Sequence, residues 1–168
     1  MNKICSTHLV NFFVAALVLS SLLISCTGNS TGYSGTAPED PVTTSQDATI
    51  TLNNVGSNAW VVTGIEGDGA NAMINQNNSP IELEIGKRFT FVNNGGAASH
   101  PLDFRNGEGE KLLGQSGDDG QFDDNSDVNA ELSGNDITFT LTPELVDALR
   151  LFICSFHPGM TAAIRVVD

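Results

Sequence analysis

Apolar residues recur at every second position through much of the chain after residue 47, and a period of two predicts β-strands. The clearest case is 81–85, where Ile81, Leu83 and Ile85 alternate with two glutamates. One face of this strand is therefore expected to be buried and the other to meet water. Comparable signals predict strands at 49–52, 59–63, 88–92, 137–141, 151–154 and 163–167, with weaker ones at 102–104, 111–113 and 128–132.

Gly and Asn turns separate these segments, and seven or eight short strands favour an all-β, two-sheet β-sandwich over residues 48–168. One short helix is predicted at 143–149, because Thr142 can cap it and Pro143 suits its first position. The segment 69–80 shows no periodicity and is interpreted as a loop. The low charged fraction of 16% and the 17 glycines agree with a loop-rich β domain.

Residues 1–25 have the organisation of a secretory signal, with Lys3 near the start and a long apolar run after it. The run ends in Leu-Ile-Ser before Cys26, which resembles a lipobox, so Cys26 is predicted to carry a lipid after cleavage. Residues 26–47 are rich in Ser, Thr, Gly and Pro and are interpreted as a flexible tether. An uncleaved transmembrane anchor is the alternative. Either arrangement is extracytoplasmic and places the domain at the outer face of the cell membrane or in the periplasm.

Acidic side chains dominate the charged residues, with 20 Asp and Glu against 7 Lys and Arg and a net charge of -13. Nucleic acid is not an expected partner, because phosphate neutralisation needs clustered cations. The acidic excess is usual in proteins of high-salt organisms, and equally in redox proteins that dock on a basic surface. The acidic run 118–127 lacks the residue order of a calcium-binding EF-hand and is predicted to be a solvated surface loop.

Elimination leaves few side chains that can carry chemistry. Once the signal is removed and Cys26 carries lipid, Cys154 is the one free thiol, and His100 and His157 are the remaining histidines. Cys154 begins the sequence Cys-Ser-Phe-His-Pro-Gly-Met, which ends at Met160 and follows a predicted strand. Pro and Gly force the chain to turn there, so the Cys, His and Met side chains can point at one site. His100 follows the strand at 88–92 after a Gly-Gly turn.

Two imidazoles, one thiolate and one thioether form the ligand set expected of a single type 1 copper ion. His100, Cys154 and His157 would be the strong ligands, and Met160 the long axial one. Structural zinc sites usually contain several cysteines, and iron–sulfur clusters need more thiolates. The alternative is an ordinary role for each residue, with Cys154 and Met160 in the core and the histidines on the surface.

The order of these residues, one upstream His and then Cys, His and Met, resembles that of the cupredoxins, the blue-copper proteins of the plastocyanin and azurin group. The Cys-x2-His-x2-Met loop, with Pro directly after the His, looks most like that of amicyanins, and the acidic, lipid-tethered form is similar to halocyanin-type proteins. The resemblance covers the domain from about residue 48 and implies a Greek-key sandwich. In many cupredoxins an Asn follows the first ligand His and ties the ligand loops together. Pro101 stands there in this chain, so that role is expected of Asn93, Asn94 or Ser99.

The leading interpretation is an electron-transfer protein, not an enzyme, in which copper alternates between Cu(I) and Cu(II) and redox partner proteins dock in turn. The exposed edge of His157 is the expected electron port, with Phe156 and Pro158 beside it and Leu102 nearby. One alternative is a copper-binding protein that stores or delivers metal, although 3 Met and 3 His are few for that role. Another is a metal-free β-sandwich for adhesion or assembly. An oxidase or nitrite reductase would need further histidines for additional copper sites.

Overall fold

The computed structural model describes residues 48–168. The signal, the lipid attachment at Cys26 and the tether were predicted for residues outside this range. The described part of the chain contains eleven strands and one helix. They are β1 (Ala48–Val55), β2 (Ala59–Glu66), β3 (Ala70–Ala72), β4 (Ile81–Glu84), β5 (Arg88–Asn93), β6 (Leu102–Arg105), β7 (Lys111–Gly114), β8 (Glu131–Ser133), β9 (Asp136–Thr140), α1 (Pro143–Ala148), β10 (Leu151–Cys154) and β11 (His157–Val167).

The strands form two sheets, which confirms the predicted all-β two-sheet sandwich. The first sheet has five strands in the order β2-β1-β5-β9-β8, and the second has six in the order β3-β4-β11-β10-β6-β7. The alternation at 81–85 has the expected consequence, since Ile81 and Leu83 are buried whereas Glu82 and Glu84 are partly exposed. Among residues 48–168, no helix is long and apolar enough to cross a membrane.

Three phenylalanines join the two sheets. Phe104 of β6 meets Phe91 of β5 and Phe139 of β9 edge to face, with ring centroids 4.9 Å apart in both pairs. Phe91 and Phe139 stack on each other within the first sheet at 5.7 Å. All three side chains are fully buried. Such aromatic contacts stabilise a core beyond the area they bury.

The helix forms as predicted, although it ends one residue earlier, at Ala148. The Thr142 hydroxyl accepts a hydrogen bond from the backbone N–H of Leu145 at 3.3 Å. Pro143 occupies the first turn, where its missing N–H costs nothing. Leu145 and Leu149 are buried and hold the helix against the core.

Three sequence predictions were wrong in detail. The segment 69–80 is not all loop, because it contains β3, which pairs with β4 and forms the edge of the second sheet. β3 has three residues, which are too few to show an alternation of apolar and polar positions, so its extended conformation depends on pairing with β4. The strand predicted at 128–132 begins only at Glu131, and the strand predicted at 163–167 already begins at His157.

The acidic run 118–127 forms turns, and most of its carboxylates are exposed, as predicted. Phe122 is an exception to the solvated character of this loop, since its side chain is 2% exposed and belongs to the core. The Lys111 ammonium reaches the loop, donating to the Ser116 carbonyl at 2.9 Å and lying 3.7 Å from an Asp123 carboxylate oxygen. The loop is therefore anchored by one aromatic side chain and one internal cation.

Replacing Phe104 by Ala should lower the free energy of unfolding by about 3–5 kcal/mol, because the cavity would lie between the two sheets. Urea denaturation of the metal-free protein measures this loss. Leu132→Ala is the matched control, since that side chain is 61% exposed and its loss should change the free energy by no more than about 0.5 kcal/mol. Equal losses in both variants would contradict the assigned core.

Candidate metal centre

Two segments of the chain meet at one end of the sandwich and bring His100, Cys154 and His157 together. His100 lies in the connection between β5 and β6, just before Leu102. Cys154 is the last residue of β10, and His157 is the first of β11. Because β10 pairs antiparallel with β6, Cys154 lies opposite Leu102, two residues from His100.

The three side chains direct one potential ligand atom each at a common point. The Cys154 sulfur lies 3.4 Å from Nδ1 of His157 and 3.8 Å from Nδ1 of His100. The two imidazole rings have centroids 4.8 Å apart and are tilted by 40°. All three ligand atoms lie within 4.8 Å of one another, and the thiol itself is fully buried.

These separations fit a bound metal ion. Thiolate and imidazole ligands lie about 2.0–2.3 Å from a small divalent ion, so a sulfur and a nitrogen in tetrahedral or trigonal arrangement are separated by about 3.5–3.8 Å. The two sulfur–nitrogen distances span almost the same interval. Both histidines present the same nitrogen, Nδ1, to the thiol. The cluster could therefore hold a metal ion, and its donors are those that copper and zinc both accept.

Met160, the predicted axial ligand, follows His157 by three residues in β11. Its side chain is fully buried and belongs to the same core cluster as Cys154. Its role as a ligand stays a prediction, because an ordinary core methionine would have the same burial.

Hydrogen bonds hold His100 from two sides. Its Nε2 lies 3.3 Å from the Asn54 amide nitrogen, and Asn93 donates to its backbone carbonyl at 2.8 Å. The Asn93 side-chain N–H also donates to the side-chain oxygen Oε1 of Gln115 at 2.8 Å. A ligand histidine is usually fixed through its second nitrogen in this way. Asn93 was among the residues predicted to tie the ligand loops together, but Asn54 and Gln115 were not, because isolated amides in an Asn-rich chain carry no signal of their own.

A backbone hydrogen bond links the two ligand segments directly. The N–H of Ser155 donates to the carbonyl of Pro101 at 3.0 Å. Ser155 follows Cys154, and Pro101 follows His100, so this bond joins the residues directly after two of the clustered side chains. Asn93, Asn94 and Ser99 were the expected sources of such a link. Of these, Asn93 binds the His100 carbonyl rather than the segment that contains Cys154.

The pKa of His100 is lowered from its ordinary value, first by burial of the ring and second by the charge of His157. Both causes disfavour the imidazolium form. Since an imidazole binds metal only when it is neutral, the lowered pKa keeps His100 available at pH values where an ordinary histidine takes up a proton.

The residues of the predicted electron port lie in the turn after β10 and at the start of β11. Phe156 is 62% exposed, Pro158 is exposed, and His157 is partly exposed. Leu102 does not belong to this surface, because its side chain is fully buried. It follows Pro101 directly, but on β6 it faces the core.

Uncharged loops form this end of the sandwich. Asn54 contacts His100, Asn78 donates to the Gly159 carbonyl at 3.1 Å, and Asn135 accepts from the Ala97 N–H at 3.0 Å. The segments joined by these contacts, which are loops and the adjoining strand ends, contain no Asp, Glu, Lys or Arg. They are 54–58, 73–79, 94–99, 134–135 and 155–159. These five segments therefore bring no charged side chain to this end of the sandwich.

His157→Gln should raise the pKa of His100 in the metal-free protein, because the charge of His157 is one of the two causes that lower it. Burial of the ring remains, so the pKa should stay below the ordinary value. Nuclear magnetic resonance of the histidine rings across pH measures the change. Glu108→Gln, on an exposed loop at residues 106–110, is the control and should leave this pKa unchanged. An unaltered pKa in His157→Gln would contradict the geometry of the cluster.

No family model matches the sequence, and a search of the curated proteins found no match. The two-sheet fold and the His-Cys-His cluster are compatible with a cupredoxin. The function must therefore be argued from these residues themselves.

Proposed function

We propose that this domain binds one type 1 copper ion and transfers single electrons outside the cytoplasm. His100, Cys154, His157 and Met160 would hold the ion, and a lipid on Cys26 would tether the chain to the membrane. The observation that carries the proposal is the approach of two imidazole Nδ1 atoms to one buried thiol, at 3.4 and 3.8 Å.

The donor set favours copper over the other candidate metals. Two imidazoles and one thiolate, with a methionine following in the same strand, are the set used by blue-copper sites. A structural zinc site would normally have more thiolates and no methionine. Within residues 48–168, Cys154 is the one free cysteine, so an iron–sulfur cluster lacks its ligands.

The chain contributes a fixed and dry environment. Copper, when bound, supplies a one-electron couple between Cu(I) and Cu(II). The buried Cys154 and Met160 exclude water from the site and disfavour rapid release of the ion, which counts against a role in metal delivery. His157 is partly exposed beside Phe156 and gives the site its contact with the surface. No bond of a substrate is made or broken in this role, so the protein would not be an enzyme.

The charge distribution supports redox partners with basic surfaces. Five of the six described cations lie within 4.0 Å of a carboxylate: Lys87, Arg88, Arg105, Lys111 and Arg165. The remaining carboxylates give the domain a net negative field that attracts a basic partner over distance. Close contact would occur at the uncharged end around His157, where no charged group has to be desolvated.

Cys154→Ser tests the proposal most directly. The copper-loaded protein should absorb strongly in the visible range because of the thiolate, and the substituted protein should lose that absorption. Titration with Cu(II), followed by visible absorption and electron paramagnetic resonance, measures the effect. Ser155→Thr, which leaves the thiol in place, should remain coloured. A colourless wild-type protein, or Cys154→Ser protein as strongly coloured as wild type, would refute the copper assignment.

Met160→Leu should keep the colour and raise the reduction potential, because a weak donor that favours Cu(II) is lost. Each tenfold loss of preference for Cu(II) corresponds to a rise of about 59 mV for a one-electron couple. Spectroelectrochemical titration measures the midpoint. An unchanged potential would show that Met160 is a core residue and not a ligand.

A further inference from the structure

A fully buried carboxylate lies beside the metal cluster, and the proposed chemistry does not use it. Asp103 is in β6 and its side chain is 0% exposed. The neighbouring Leu102 and Phe104 face the core, so alternation places Asp103 on the other face of the sheet. There it is covered by Ser155 from the turn after β10 and by Ser116 from the segment after β7.

Every polar contact of this carboxylate is with a hydrogen-bond donor. The Ser116 N–H and hydroxyl donate to it at 3.0 and 2.7 Å, and the Arg105 guanidinium donates at 3.1 Å. The Ser155 hydroxyl also donates to it. A buried carboxylate is costly unless its oxygens are bonded in this way. These hydrogen bonds offset the unfavourable burial of the carboxylate and hold Asp103 in one position.

One member of this network lies within the ligand turn. Ser155 stands between Cys154 and Phe156, two residues before His157. Its backbone N–H donates to the Pro101 carbonyl at 3.0 Å, and its hydroxyl donates to Asp103. Both bonds tie it to the segment that follows His100. The side-chain bond therefore restrains the same turn that sets the separation of the Cys154 sulfur and the His157 ring.

Gly114, which has no side chain, leaves room for the Asp103 carboxylate. Gly114, paired with Asp103 across β6 and β7, has φ of +155°. A Cβ placed on Gly114 would lie 2.6 Å from the Cα of Asp103, closer than real side chains approach. Any other residue at 114 would displace Asp103 or the strand beneath it. The close approach of β7 is thus compatible with the carboxylate only because glycine stands there.

We propose that Asp103 is a positioning residue of the metal centre, which holds the Cys154–His157 turn in its metal-binding geometry through the Ser155 hydroxyl. The inference rests on the proposed metal site but not on electron transfer. The role follows from two connections. The buried Asp103 belongs to the segment after His100 and binds the Ser155 hydroxyl, and Ser155 directly follows Cys154 in the other ligand segment.

Ser155→Ala and Ser116→Ala form a matched pair, since each removes one hydroxyl donor from the same carboxylate. Only Ser155 belongs to the ligand turn. Affinities for Co(II) and Cu(II), measured by competition with a chelator, should fall about tenfold or more in Ser155→Ala and by less than about twofold in Ser116→Ala. Ser155→Thr retains the hydroxyl and should restore the affinity. Asp103→Asn should weaken binding at least as much as Ser155→Ala, provided that it folds.

Hydrogen exchange in the metal-free protein gives a readout that does not depend on the metal. The amides of Phe156 and His157 should exchange about tenfold faster in Ser155→Ala than in Ser116→Ala, whereas those of β5 should be alike in both. Equal affinities and equal exchange in the two variants would overturn the positioning role. If wild-type protein binds Co(II) but shows no colour with Cu(II), the proposed function fails. The difference between the two serine variants would then still decide the role of Asp103.

Discussion

The antiparallel pairing of β6 with β10 is the constraint on which the metal cluster depends. It sets Cys154 opposite Leu102 and so brings the turn after β10 to the residues that follow His100. The backbone bond from Ser155 to Pro101 continues this pairing by one step beyond the strands. A slip of one residue in this register would turn the thiol to the other face of the sheet. The cluster is therefore a consequence of strand register as much as of the ligand residues themselves.

The core explains why this register is held. Phe104 lies two residues beyond Leu102 in β6 and is locked between Phe91 and Phe139 of the opposite sheet. Asp103, which lies between Leu102 and Phe104 in the strand, is fixed on the other face by hydrogen bonds from Ser116 and Arg105. Both faces of this short strand are thus restrained, one by aromatic packing and one by a satisfied buried carboxylate. The ligand segments therefore lie beside a strand that is restrained on both faces, which suits a centre that must not rearrange.

The exposed charged side chains and the candidate metal site belong to different segments of the domain. The segments around His157 carry amides, small residues and the exposed Phe156, whereas the exposed carboxylates belong to other segments. An acidic field can act over about 8–10 Å at physiological salt and direct a partner, but the contact itself needs no ion pair. Such an arrangement favours brief docking, because neither partner has to desolvate a charge at the interface.

Sequence alone was enough to predict an all-β two-sheet sandwich, the helix with its Thr142 cap and the four candidate ligand residues, although seven or eight strands were expected and the described residues form eleven. Periodicity, turn residues and elimination among a few Cys and His depend only on local chemistry. The tertiary structure decided what depends on contacts between distant segments: β3, formed only by pairing with β4, the burial of Leu102, and the anchoring of the ligand turn. Asp103 shows the difference most clearly. In the sequence it is one of 20 acidic residues, and only packing against Ser116 and Ser155 makes it a buried anchor.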